Sequence, residues 1–156
     1  SKIRNYGQEK KYYHDTLGWN SRLDSLQAIV LSEKLKLLDQ WNENRRTIAN
    51  WYHERLKDSE FCLYHERPEN EAVHHLFVIT HKDRDLIQEK LQSKGIPTGI
   101  HYPVPIHQHK CFAAYSFAKE EFPYAERQGS ELLSLPMHPN LTESEVDEIC
   151  ECMIKL

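Results

Sequence analysis

Apolar side chains recur at helical spacing through the first third of the chain. Leu23, Leu26, Val30, Leu37, Trp41, Ile48 and Tyr52 are separated by three, four or seven residues. That spacing places them on one stripe of an amphipathic helix. No Gly or Pro interrupts residues 21–57, so the pattern predicts a long helix, continuous or split near Asp39–Asn42. Asn20 or Ser21 is its expected N-cap, with Asp24 in the first turn, where the helix dipole favours an anion. Residues 1–20 contain Gly7 and Gly18 and several aromatics without sustained period. They read as a structured loop.

After the helix the period changes. Phe61–Tyr64 and Val73–Thr80 are short runs rich in strand formers, joined by a polar stretch with Pro68. Leu86, Ile87 and Leu91 return to helical spacing, and Gly95 and Pro97 then stop that helix. Thr98–Tyr102 is expected to return as a strand. Residues 103–123 are a Pro-containing loop with a short helix around Phe112–Ala118. Pro123 suits the first position of a helix over 124–133, and Leu133–Pro136 reads as a short edge strand. Thr142-Glu143-Ser144-Glu145 has capping-box form ahead of Val146, Ile149, Cys150, Met153 and Ile154. The succession predicts an α+β fold: a long N-terminal helix leading into a small, mostly antiparallel sheet with helices packed on one face. Three regions follow: a loop over 1–21, a connecting helix over 22–57 and an α+β domain over 58–156.

Composition narrows the functions. At 156 residues and net charge −4, the chain has no polycationic footprint for nucleic acid or an anionic membrane surface. No apolar run approaches the roughly 18 residues a membrane span needs. Cys62, Cys111, Cys150 and Cys152 lack framework spacing and are expected to be reduced, structural thiols in a cytoplasmic protein. The 10 histidines suggest metal binding, but their spacing argues against it. His74 and His75 would point to opposite faces of a strand. His101, His107 and His109 have only Cys111 nearby as a further ligand, so no metal site is expected. No Gly-rich phosphate loop, G-x-S-x-G or H-E-x-x-H string occurs. The chain runs from Ser1 straight into Lys2-Ile3-Arg4-Asn5-Tyr6-Gly7, which reads as part of a longer polypeptide.

Three strings are more specific: Ile3-Arg4-Asn5-Tyr6-Gly7, Gly18-Trp19-Asn20-Ser21-Arg22-Leu23-Asp24, and Gly99-Ile100-His101-Tyr102-Pro103 continuing to His107. In this order, with Leu133–Pro139 behind them, the chain resembles the C-terminal part of DegT/DnrJ/StrS-type pyridoxal-phosphate-dependent nucleotide-sugar aminotransferases. The resemblance implies the small C-terminal domain of a fold-type I aminotransferase. It implies transfer of an amino group, usually from glutamate, to a keto-sugar nucleotide, in a homodimer whose sites draw on both subunits. By position, Asn20 matches a residue that reaches the cofactor phosphate. Arg4 matches one that contacts the sugar nucleotide, and His101 and Tyr102 match a loop on the sugar side. The family's Schiff-base lysine lies upstream of the Arg4–Tyr6 string, so no catalytic residue is expected here and pyridoxal phosphate should not bind this piece tightly. Two other readings are a stand-alone ferredoxin-like binding module and a family relative without transamination, such as a sugar dehydratase or a regulator.

Overall fold

The computed structural model describes residues 2–155. The chain divides into two compact units, one ending at Asp39 and the other beginning at Gln40.

In the first unit, two chain segments close on each other. The Trp19 amide donates to the Ile3 carbonyl at 2.7 Å, the Tyr6 amide to Trp19 at 3.0 Å, and the Ser21 amide to Arg4 at 2.9 Å. Gly7 and Gly18 make this approach feasible. A Cβ on Gly7 would sit 1.7 Å from the Thr16 carbonyl oxygen, and one on Gly18 would sit 2.1 Å from the Gly7 nitrogen. Helix α1 (Ser25–Leu35) follows. Its N-cap is Asp24, not Asn20 or Ser21. The Asp24 carboxylate accepts the Leu26 amide at 3.0 Å, and Gln27 accepts the Asp24 amide at 3.4 Å. Residues 20 and 21 are instead occupied in pairing with residues 4 and 5. The helix expected over 22–57 is therefore two: α1 stops, and α2 (Leu38–Leu56) begins after a break at Lys36–Leu37. The break is closed by i→i−3 bonds from Lys36 to Glu33 and from Leu37 to Lys34.

The second unit holds the core. Strands β1 (Cys62–Leu63), β2 (Phe77–Thr80) and β3 (Leu132–Leu135) form an antiparallel sheet in the order β1-β2-β3. Phe77 pairs with Leu135 and Ile79 with Leu133. These alternate residues meet Ile48, Tyr52 and Leu56 of α2, Ile87 and Leu91 of α3 (Arg84–Ser93), and Val146, Ile149 and Met153 of α5 (Glu143–Ile154) in one core. Tyr52 stacks on Phe77 and donates its hydroxyl to the Pro136 carbonyl at 2.9 Å. Buried Arg84 donates to the Leu132 carbonyl at 2.9 Å, joining α3 to the end of α4 (Pro123–Glu131). The Thr142–Glu145 capping box opens α5.

Three details differ from the sequence expectation. Residues 73–76 are not strand, and His74 has φ of 46°, so the opposite-face argument for His74 and His75 does not apply. Residues 98–102 contribute only one bridge, Gly99 to Ser134. The 112–118 helix is a set of short 3₁₀ turns. The three-stranded order also lacks the β-α-β-β-α-β succession of a ferredoxin-like fold. No described helix is long and apolar enough to cross a membrane.

Candidate functional site

The Gly99–His107 loop is fixed at both ends. At its start, Gly99 and Ser134 exchange backbone hydrogen bonds of 3.0 and 2.7 Å. The His101 ring folds back over Gly99, where a Cβ would lie 2.6 Å from the ring's Cε1. His101 Nδ1 lies 2.9 Å from the hydroxyl of buried Ser134. Tyr102, 74% exposed, meets the His101 ring edge-on at 5.5 Å.

At the far end, His107 Nε2 lies 3.0 Å from the Glu126 carboxylate, which also accepts the Phe122 amide at 3.1 Å. The Phe122 amide, and then His107, hold the Glu126 carboxyl below the usual carboxylate range. Helix α4 comes close at Gly129, where a Cβ would be 2.8 Å from the Pro103 carbonyl oxygen. Between these anchors lies a largely apolar groove of about 440 Å³, lined by Tyr102, Val104, Ile106, Phe117, Phe122 and Leu132 among others.

Arg4 and Asn20 are brought together in the first unit by the Asn5–Asn20 bridge and the Arg4–Ser21 bond. Both are exposed. Asn20 Oδ1 accepts Arg22 Nε at 3.3 Å. Because guanidinium can only donate, the Asn20 atom that faces it is Oδ1, which leaves Nδ2 on the other side. Among the described residues, neither Asn20 Nδ2 nor the Arg4 guanidinium has a hydrogen-bond partner. With Asp24 acting as the cap, Asn20 is not needed to start α1. The four candidate residues thus form two pairs, Arg4 with Asn20 in one unit and His101 with Tyr102 in the other.

The family model for DegT/DnrJ/EryC1/StrS aminotransferases matches residues 1–154. The chain belongs to this family. It is 41% identical over 148 residues to the erythromycin biosynthesis sensory transduction protein EryC1 of Saccharopolyspora erythraea, covering 94% of this chain and 40% of that protein. It is also 41% identical over 151 residues to the dTDP-3-amino-3,6-dideoxy-alpha-D-galactopyranose transaminase of Aneurinibacillus thermoaerophilus, covering 97% and 41%. The crystal structure of S. venezuelae DesV superposes with a TM-score of 0.92 at 35% identity, over 99% of this chain and 42% of DesV. That of NtdA from Bacillus subtilis with bound cofactor PMP gives 0.84 at 27% identity, over 99% and 38%. The chain spans about two fifths of the length of the curated relatives it matches.

Asn20 carries the kind of donor a phosphate oxygen needs, whereas three of the lysines lack the setting an aldehyde needs. Asn20 Nδ2 is an uncharged donor with no partner among the described residues, whereas Lys2, Lys57 and Lys155 are held in the ammonium form by carboxylate partners. A Schiff-base lysine needs the opposite setting, one that lowers its pKa. Among the described residues there is no group of three His, Cys, Asp or Glu side chains placed to hold a metal. All four cysteines are free, and burial pushes the Cys150 thiol up to about 12. Sequence reasoning missed Ser134 and the His107–Glu126 pair. Leu133-Ser134-Leu135 offered a signal, a lone hydroxyl between two core positions.

Proposed function

We propose that this chain is the C-terminal part of a pyridoxal-phosphate-dependent aminotransferase that passes an amino group from glutamate to a keto-sugar nucleotide. The observation that carries the reading is the family match over residues 1–154. The transaminase name of the Aneurinibacillus relative and the PMP in NtdA support the reaction and the cofactor. When bound, pyridoxal phosphate supplies the electron sink for amino transfer; the protein supplies binding, orientation and charge.

In this reading Asn20 donates its Nδ2–H to the cofactor phosphate without bringing a competing charge. The Arg4 guanidinium, without a partner among the described residues, offers paired donors to a phosphate or carboxylate of the substrate. His101 and Tyr102 hydrogen-bond the sugar nucleotide and present flat faces to it. Pro103 and Pro105 stiffen their loop, and the anchors at Ser134 and Glu126 keep it from collapsing. The protein works as a homodimer in the cytoplasm, with sites built from both subunits.

The test is the intact protein supplied with glutamate and, separately, with dTDP- and UDP-linked keto sugars. Amino transfer to one of these sugars supports the reading, and no transfer from a cofactor-loaded protein overturns it. A relative without transamination is the second reading, favoured by the name of the EryC1 protein, a sensory transduction protein. A residue other than lysine at the Schiff-base position upstream would favour it.

A further inference from the structure

We infer that Ser134 is a positioning residue that sets which nitrogen of His101 carries the proton. Its hydroxyl donates to Nδ1, so the neutral ring offers Nε2–H as a hydrogen-bond donor to an acceptor oxygen of the sugar nucleotide. This rests on the assignment of His101 to the sugar side.

Ser134 is 3% exposed, and its Oγ has one hydrogen-bond partner among the described residues, His101 Nδ1 at 2.9 Å. Two arrangements satisfy that distance. If Nδ1–H donated to Oγ, the hydroxyl proton would be buried without an acceptor. If the hydroxyl donates to Nδ1, the buried hydroxyl proton is bonded and the one donor left over is Nε2–H, which is not buried, since His53 Nδ1 is the only buried side-chain nitrogen or oxygen without a partner among the described residues. Buried donors without partners are rarer than under-used acceptors, so the second arrangement holds. The tautomer of a histidine is set by the hydrogen bond made by its other nitrogen. Nε2 has no hydrogen bond among the described residues and is the ring's remaining polar atom.

The ring is also held in place mechanically. Residue 99 leaves no room for a side chain beneath it, since a Cβ there would lie 2.6 Å from the ring. Gly99 is itself bonded to the Ser134 backbone in both directions, at 3.0 and 2.7 Å. One strand residue, Ser134, therefore anchors both the backbone below the ring and the ring nitrogen. The consequence is selectivity: a fixed Nε2–H prefers a substrate atom that accepts, such as a diphosphate oxygen or a sugar carbonyl.

Neutron diffraction from the deuterated intact protein reads the proton positions directly. A deuteron on Ser134 Oγ and another on His101 Nε2 are expected; a deuteron on Nδ1 overturns the inference. Kinetics of the intact enzyme form the second arm. Ser134→Ala should raise KM for the sugar nucleotide about 2- to 12-fold, the worth of one neutral hydrogen bond, and leave the glutamate half-reaction unchanged. Ser134→Thr, which keeps the hydroxyl, should restore it, and His101→Gln, which keeps an N–H donor, should lose less than His101→Ala. If His101→Ala weakens the sugar step while Ser134→Ala does not, positioning by Ser134 is refuted and the sugar-side role of His101 stands. If His101→Ala affects neither half-reaction, the sugar-side assignment itself fails.

Discussion

Asn20→Ala tests the proposed cofactor role apart from a structural one, because the structure gives the capping of α1 to Asp24 and not to Asn20. The N-cap of α1 is Asp24, whose carboxylate accepts the Leu26 amide at 3.0 Å. Asn20 loses only an exposed 3.3 Å contact to Arg22 when truncated, a length beyond the usual N–H···O range. Its cost to folding should be within a few tenths of a kcal/mol, whereas Asp24→Ala should cost about 1 kcal/mol through the lost cap. A hydrogen bond from Nδ2 to a phosphate is of the charged kind, worth roughly 1.5–3 kcal/mol. Asn20→Ala in the intact enzyme should therefore weaken cofactor retention by about 10- to 150-fold with nearly unchanged unfolding. Equilibrium dialysis followed by cofactor absorbance gives the first quantity, and denaturant unfolding of the same variant gives the second. Unchanged cofactor affinity together with a stability loss of about 1 kcal/mol would refute the assignment.

Three further outcomes are expected. The 156-residue chain, mixed with pyridoxal phosphate and reduced with borohydride, should show no single saturable labelled lysine on peptide mapping; one stoichiometric site at low cofactor concentration would contradict this. The same chain should self-associate on sedimentation at high concentration, because Leu26, Ile29, Val30, Leu31 and Leu35 of α1 are all more than half exposed and large apolar patches drive association; a strict monomer would count against it. Burial, then the neighbouring His65 and His74, lower the His53 pKa. The folded state thus resists a proton that the unfolded chain accepts. The stability this brings is present above about pH 6.5 and lost as the pH falls through the folded value, so His53→Phe should flatten the acid limb of a stability–pH curve, and an unchanged limb would refute the assignment.

Legibility in the sequence followed how local the signal was. The α5 capping box and the Gly95 helix stop each rest on neighbouring residues and are found where the sequence puts them, whereas the two strand runs are shortened to Cys62–Leu63 and Phe77–Thr80. The split allowed near Asp39–Asn42 falls instead at Lys36–Leu37; the stripe steps by seven residues from Val30 to Leu37, so its phase does not mark the interruption. Asn20 was assigned as a candidate cap because carboxamides favour that position. The choice between Asn20 and Asp24 depends instead on pairing with residues 4 and 5, a non-local event. Thr98–Tyr102 has strand composition, yet after Gly99 the chain turns the His101 ring back toward Ser134. His107–Glu126 and His101–Ser134 join residues 19 and 33 positions apart, and no local pattern announces either. The motif strings located the loop; the contacts that hold it appear only in three dimensions.

The proposed function puts His101 on the sugar side of an aminotransferase, and separate single-turnover measurements of the two half-reactions in the intact enzyme test this most directly. On the proposed function, glutamate is small and should react without reaching the Gly99–His107 loop, whereas a nucleotide sugar is long and should pass it. His101→Ala should slow the sugar half-reaction about 5- to 150-fold, corresponding to roughly 1–3 kcal/mol of lost transition-state binding, and leave the glutamate half-reaction within about twofold of wild type. An equal loss in both halves, or no loss in either, would contradict the account.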